Sequence, residues 1–344
     1  MENNTIINEN PNMTSKKRLW NPFKSLKFRK YFTNTLIYIV LIVMCLIWVF
    51  PFIWAILQGF TNKGTNAQYY LFPGLLVDSI EGFKWVGFST NQTDIAWVWS
   101  LKPFEVLLGI SENTSSVGGV APHDLDGKFP IWFGNTIILA ILSTLISTLF
   151  VLMTSYALSR FRFKGRTAMM KVNLVLGMFP GFLGMIINYW LMYSLGLAGT
   201  FWSLIILYSA GAGMGFYISK GFFDTISKSI DEAAMIDGAT KSQIFFKITL
   251  PLSKPIVVYT ILTSFMGPWG DYISASYIIG NGNKDQWTVP IGLYNMISGA
   301  QTYGSAYYNC FYAGALLIAI PITALFLFMQ KYYVSGVTGG SVKG

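Results

Sequence analysis

Polar and apolar positions in this chain come in long blocks, with no short alternating period. Six mainly apolar stretches stand out: Thr35–Leu57, Trp132–Leu158, Val172–Leu195, Trp202–Lys220, Pro255–Ile279 and Phe311–Met329. A helix rising 1.5 Å per residue needs about 20 residues to cross roughly 30 Å of hydrocarbon. Each stretch therefore predicts one spanning helix. Trp54, Trp132, Tyr193, Trp202 and Tyr332 fall near the predicted ends, where amphipathic rings settle at the membrane–water interface. The expected fold class is an all-α membrane protein with six transmembrane helices.

The basic residues orient these spans. Lys16, Lys17, Arg18, Lys24, Lys27, Arg29 and Lys30 precede the first, and Arg160, Arg162, Lys164, Arg166 and Lys171 link the second to the third. The link between the fourth and fifth carries Lys228, Lys241, Lys247 and Lys254, with Lys220 at its edge. In all, 19 of the 24 Lys and Arg lie on this side of the predicted membrane. Cytoplasmic loops hold the excess of cations, so both termini are expected in the cytoplasm, as six spans also require.

Composition agrees with this class. Charged residues make up 11% of the chain and mean hydropathy is +0.49, against about 25% charged residues in soluble domains. The net charge of +9 is spread along the flanks of the spans. It is not a basic patch interleaved with aromatics, so a nucleic-acid partner is not expected.

Cys45 and Cys310 have no CxxC partner and read as small membrane-buried side chains, and His123 is the only histidine. No metal site is predicted from so few ligands. The Gly127-Lys128 pair runs into Phe129 rather than completing a phosphate-cradling loop. No catalytic residues and no cofactor are expected in a chain of this kind.

The first span is longer than a secretory h-region and leaves into Phe-Pro-Phe-Ile-Trp, which predicts an uncleaved anchor. The polar, Asn-rich first dozen residues predict disorder. On the far side, Thr61–Lys128 is too long for a bare connector. Its Trp85, Trp97, Trp99 and Phe104 predict a small folded cap.

One fairly polar stretch interrupts the pattern. Asp231 to Pro251 reads DEAAMIDGATKSQIFFKITLP. Ser229 with Glu232 forms a capping-box pattern, Gly238 suits a left-handed helix end, and Thr240 with Gln243 forms a second box. Two short helices joined by a glycine turn are expected, the second ended by Pro251, lying along the cytoplasmic face. Ala233 and Ala234 leave room for close packing against another protein.

The spacing of Glu232, Ala233, Ala234, Gly238, Ile248, Leu250 and Pro251, E-A-A-x3-G-x9-I-x-L-P, resembles the cytoplasmic signature of ATP-binding-cassette importer permeases. Tyr156–Arg166 (YALSRFRFKGR) resembles the basic exit from the second span of the carbohydrate importers. Gly336–Gly344 (GVTGGSVKG) resembles the tail of the smaller permease subunit of the maltose importer. That family typically has alanines where this chain has Gly340 and Ser341.

The resemblance implies a coupling helix that docks on a separate ATPase, with Glu232 pairing a basic residue of that ATPase and Gly238 permitting the turn. Asp237 is either a second polar contact or a helix-end acid. The tail resemblance makes Lys343 a candidate ATPase contact; a frayed terminus is the alternative.

The implied partners are a second permease subunit, a homodimeric ABC ATPase, an external sugar-binding protein, membrane lipid, and a maltose, maltodextrin or related oligosaccharide cargo. The chain would then divide into a basic cytoplasmic segment (1–34), a first transmembrane helix (35–57) and an external loop or cap (58–130). A five-span core permease domain (131–330) and a cytoplasmic tail (331–344) would follow. The implied location is the bacterial plasma membrane.

Within the fifth span, Asp271 is an acid inside an apolar run. A carboxylate at mid-membrane costs about 2.5–3.5 kcal/mol on insertion scales, so it must face a cavity, a partner or an interface. Gly267, Pro268 and Gly270 predict a bent or broken helix there. Asn188, Tyr189, Trp269, Asp271 and Tyr272 are candidate walls of a translocation path, with bundle packing as the alternative for each. Two other functions fit an apolar bundle: an ion-coupled secondary sugar transporter, and a non-transporting membrane scaffold.

Overall fold

The computed structural model describes residues 26–60, 100–110 and 125–339, except 179, 211–214, 281 and 304–305. Trp85, Trp97, Trp99, His123 and Lys343 lie outside the described residues. All regular structure among the described residues is helical.

The chain divides into two compact units, Met1–Ile53 and Trp54–Gly344, and the division falls within the first helix, α1 (Leu26–Gly59). From Lys30 to Ile53 every side chain of α1 is exposed, as befits a helix apolar on all sides that meets lipid.

In the second unit α2 (Lys102–Leu108) precedes α3 (Phe129–Arg160), the spine of the fold. Thr136, Ser143, Thr144, Ser147, Ser155 and Ser159 are all buried along α3, mostly at helical spacing. Small hydroxyl residues let helix backbones approach closely and satisfy themselves on carbonyls one turn back. Ser155 does both: its Oγ lies 2.6 Å from Val151 O and 3.0 Å from Phe216 O, its single proton shared between the two carbonyls.

Phe216 belongs to α7 (Gly215–Thr225), which follows α4 (Arg166–Gly177), α5 (Gly181–Ser194) and α6 (Phe201–Ala210). The chain continues through α8 (Lys228–Ile236) and α9 (Lys241–Leu252) into α10 (Lys254–Gly270) and α11 (Ile273–Ile279). It finishes with α12 (Val289–Tyr303) and α13 (Ala306–Gly339).

The larger core lies toward the N-terminal end of α3, where Trp132 and Leu139 meet Leu107, Leu204, Ile278, Ile291, Met296 and Ala313. Phe104 of the expected cap packs against it. A smaller core of Leu152, Tyr156, Phe223, Phe245 and Ile256 closes the other end of α3.

Among the described residues, four helices are long and apolar enough to cross a membrane: Lys30–Gly59, Phe129–Arg160, Phe201–Thr225 (read across residues 211–214) and Tyr307–Tyr332. Two bent pairs raise the number to six if each is one span. The expected third span is one of these pairs, α4 and α5 meeting at 104°. Pro180, which cannot donate to a continuing helix, stands immediately before α5. The fifth stretch is broken as expected, at Asp271–Tyr272 between α10 and α11.

Helix α12 was not expected. Its Ile291, Leu293 and Met296 are buried in the larger core, so the segment before the last span is packed structure rather than a plain link.

Candidate functional site

The segment between α7 and α10 folds as two short helices about a glycine turn. Helix α8 is capped by Ser227, whose Oγ accepts from the Ser229 backbone N–H at 3.3 Å. This corrects the expected Ser229–Glu232 box. The two serines share one turn, and Ser229 Oγ lies 2.7 Å from Ser227 Oγ, while Glu232 faces solvent. At the other end, Ala239 N–H donates to Ala234 O and Gly238 N–H to Met235 O. This crossed pair needs a left-handed residue after the cap. Gly238 supplies it at φ 84°.

The second box is present as expected. Thr240 N–H donates to Gln243 Oε1 at 2.8 Å and Gln243 N–H to Thr240 Oγ1 at 3.3 Å. From Ile244 to Thr249 the helix widens to π winding, and Leu250 N–H donates to Phe245 O. Contrary to the expectation, Pro251 does not end the helix; it lies inside a final turn that closes at Leu252. The π winding precedes the one residue that cannot donate, and a local change of winding there eases the usual clash of a helical proline with the preceding turn. Helix α9 then meets α10 at 85°.

The two halves of this element are held differently. Helix α9 buries Ile244, Phe245 and Thr249, and the Tyr156 ring of α3 packs on Phe245 with centroids 4.9 Å apart. Lys241 Nζ lies 4.9 Å over the Phe161 ring. Helix α8 buries only Asp231 and Ala234. Asp231 Oδ2 accepts an ion pair from Arg160 Nε at 2.9 Å, with the two side chains 12% and 5% exposed.

Outward, α8 presents Ala233, Met235 and Ile236, the last 87% exposed, beside Glu232 and Asp237. Neither acid joins an ion pair among the described residues. Between α8 and the end of α3 lies a cavity of about 530 Å³ lined by Arg160, Arg162, Lys228, Asp231, Glu232 and Lys241, among others. This region has no nucleophile paired with a base; it offers a shaped, charged and partly apolar surface.

Residues 150–339, which include this whole element, match the family described as the binding-protein-dependent transport system inner membrane component. The chain belongs to that family. It is a multi-pass bacterial membrane permease of the maltose-importer type.

The maltodextrin transport system permease protein MalD of Streptococcus pneumoniae is 30% identical over 93% of this chain and 99% of its own length. The galactooligosaccharides transport system permease protein GanQ of Bacillus subtilis is 41% identical over 62% of this chain and 74% of its own. A crystal structure of a bacterial ABC transporter involved in import of the acidic polysaccharide alginate shares the fold. Its TM-score is 0.66 at 20% identity, covering 91% of this permease and all of that chain.

The candidate path residues of the permease lie on α5 and around the break between α10 and α11. Asp271 Oδ2 accepts from Tyr208 Oη at 2.8 Å, and its Oδ1 accepts from Ser274 N–H at 2.9 Å. The carboxylate thus caps α11 while bonding to α6. Trp269 is buried against Phe133 and Phe265. Tyr272 stacks on Tyr294 with centroids 3.8 Å apart. Tyr189 packs edge-on against Tyr277, and Asn188 beside it is half-buried. Sequence reasoning missed the Arg160–Asp231 pair, because Arg160 read as one of several orienting cations.

Proposed function

We propose that this permease is one of two related membrane subunits of an ATP-driven oligosaccharide importer, and that it forms half of the translocation path. Six spans with both termini in the cytoplasm fit the cation distribution along the chain. The coupling surface is the 229–251 segment: Glu232, Ala233, Asp237 and Gly238 face outward for a separate homodimeric ATPase, while Ala234, Leu250 and Pro251 fix its shape. An external sugar-binding protein delivers cargo, and the permease itself catalyses no reaction. The observation that carries this reading is the exposed α8 face, apolar and acidic together, followed directly by α9, which meets α10 at 85°.

The division into an N-terminal segment (1–34), first span (35–57), external cap (58–130), core (131–330) and tail (331–344) belongs to the same proposal. So does ATPase contact by Lys343. Asp271, Tyr272, Asn188 and Tyr189 border the path, and Trp269 supports it from the core. Nucleotide-driven closure of the ATPases pushes α8 and α9, and the spans rock between inward and outward openings.

The cargo is a maltodextrin, because the relative matching nearly the whole chain transports one. The 41% identity to a galactooligosaccharide permease favours a galactooligosaccharide as the second reading. Uptake of radiolabelled maltotriose and of galactotriose in a deletion strain and its complemented parent decides between them. Loss of one and not the other assigns the cargo. Unchanged uptake of both contradicts the importer reading, and uptake by the lone chain in energised vesicles without an ATPase establishes a secondary carrier instead.

A further inference from the structure

We infer that Arg160 and Asp231 are a positioning pair: a strut that carries displacement of α8 into α3 during transport. The inference rests on the importer reading above and adds the residues through which force leaves the coupling surface. Of the nine residues in α8, only Asp231 and Ala234 are buried. An alanine methyl offers little grip, so the ion pair is the main lateral attachment of a helix whose outer face is free.

The Arg160 end is well anchored. Its Nη2 donates to Ile226 O at 3.0 Å, and the preceding Ser159 Oγ donates to Asp224 Oδ1 at 2.6 Å. Asp224 also holds Lys220 at 2.5 Å. The last turn of α3 therefore grips the end of α7, the connector to α8, and α8 itself.

A pair at a surface is screened and mobile, but here both side chains are nearly enclosed, and burial makes the partners mutually obligatory. Arg160 is also attached at two points. Its guanidinium meets Asp231 through Nε and donates to the Ile226 carbonyl through Nη2, an arrangement that a lysine ammonium does not reproduce. Helix α9, by contrast, is seated by Phe245 against Tyr156, a contact that tolerates sliding.

The test uses the assembled importer in proteoliposomes, with ATP inside and an equimolar mixture of radiolabelled maltotriose and galactotriose loaded on the binding protein. Uptake and ATP hydrolysis are read in the same vesicles. Arg160→Cys with Asp231→Cys is placed in a Cys45→Ser, Cys310→Ala background. Removing both charges together leaves neither one buried alone, which favours normal assembly.

The expected result is complex formation at the parent level with uptake per ATP reduced about tenfold, then restored to within about twofold of the parent by a short bifunctional thiol reagent. Parent-like coupling before cross-linking overturns the strut. Failure of cross-linking to restore uptake also overturns it, because a joint that must open cannot be a strut. The swapped pair Arg160→Asp with Asp231→Arg is the second variant. It should exceed either single substitution in uptake per ATP by about fivefold, and equality among the three overturns the pairing. If the parent itself shows no ATP-dependent uptake of either sugar, the importer reading fails rather than the strut.

Discussion

The indole of Trp132 fills the space that a side chain on residue 292 would need. A methyl group placed on Gly292 runs into the ring edge of Trp132. That ring is completely buried and fixed by its Nε1 donating to Lys284 O at 2.9 Å. Overpacking a core typically costs about 1–3 kcal/mol, and Trp132 has no room to yield. Gly292→Ala is expected at the upper end of that range, read as a lowered unfolding midpoint in detergent. Trp132→Phe in the same chain should recover part of the loss.

Glu232 is exposed and α8 does not depend on it for a cap. Glu232→Lys should therefore insert and fold as the parent does, yet abolish sugar uptake. Normal uptake with normal protein levels in the membrane would remove Glu232 from the coupling surface.

Gly238 sits at φ 84° with open space around it, so the cost of a side chain there comes from the backbone alone. A left-handed conformation costs roughly 1–2 kcal/mol for most residues and less for asparagine. Gly238→Val should reduce uptake more than Gly238→Asn, with equal expression. Equal uptake by the two would show that the turn is free to relax.

Asp271 accepts two hydrogen bonds that an asparagine oxygen could also accept in part. Asp271→Asn should keep uptake within about threefold of the parent, while Asp271→Ala loses the cap of α11, about 1 kcal/mol. If the carboxylate charge itself lines the route, Asn and Ala will impair uptake equally while only Ala lowers the unfolding midpoint.

Much of the fold is legible because lipid imposes long apolar runs that no soluble pattern imitates. The Thr240–Gln243 box is legible because both of its hydrogen bonds close within one turn. The first cap is less so: Ser227 and Ser229 both qualify locally, and the choice turns on where the chain leaves α7. Helix α12 escapes because its 15 residues fall short of a span and carry Gly292, whose meaning comes only from Trp132. Asp271 with Ser274 is a readable capping pattern, but Tyr208, its other partner, lies on a different helix. The Arg160–Asp231 pair is invisible for the same reason, since only packing brings α3 and α8 together.

Helix α3 has no proline beyond its first turn, whereas the helices around it are interrupted at Pro180, at Asp271 and at the Ser253 corner. Thirty-two residues of unbroken helix measure about 48 Å. One end holds Trp132 and Asn135, whose side-chain N–H groups donate to Lys284 O and to Asp285 O and Trp287 O; the other ends in Arg160. Such a rod stores little bend, so a tilt imposed at Arg160 arrives at the Lys284–Trp287 loop almost undiminished. Within the second unit, compliance then falls to the broken helices beside α3, which makes α3 the reference axis of that unit.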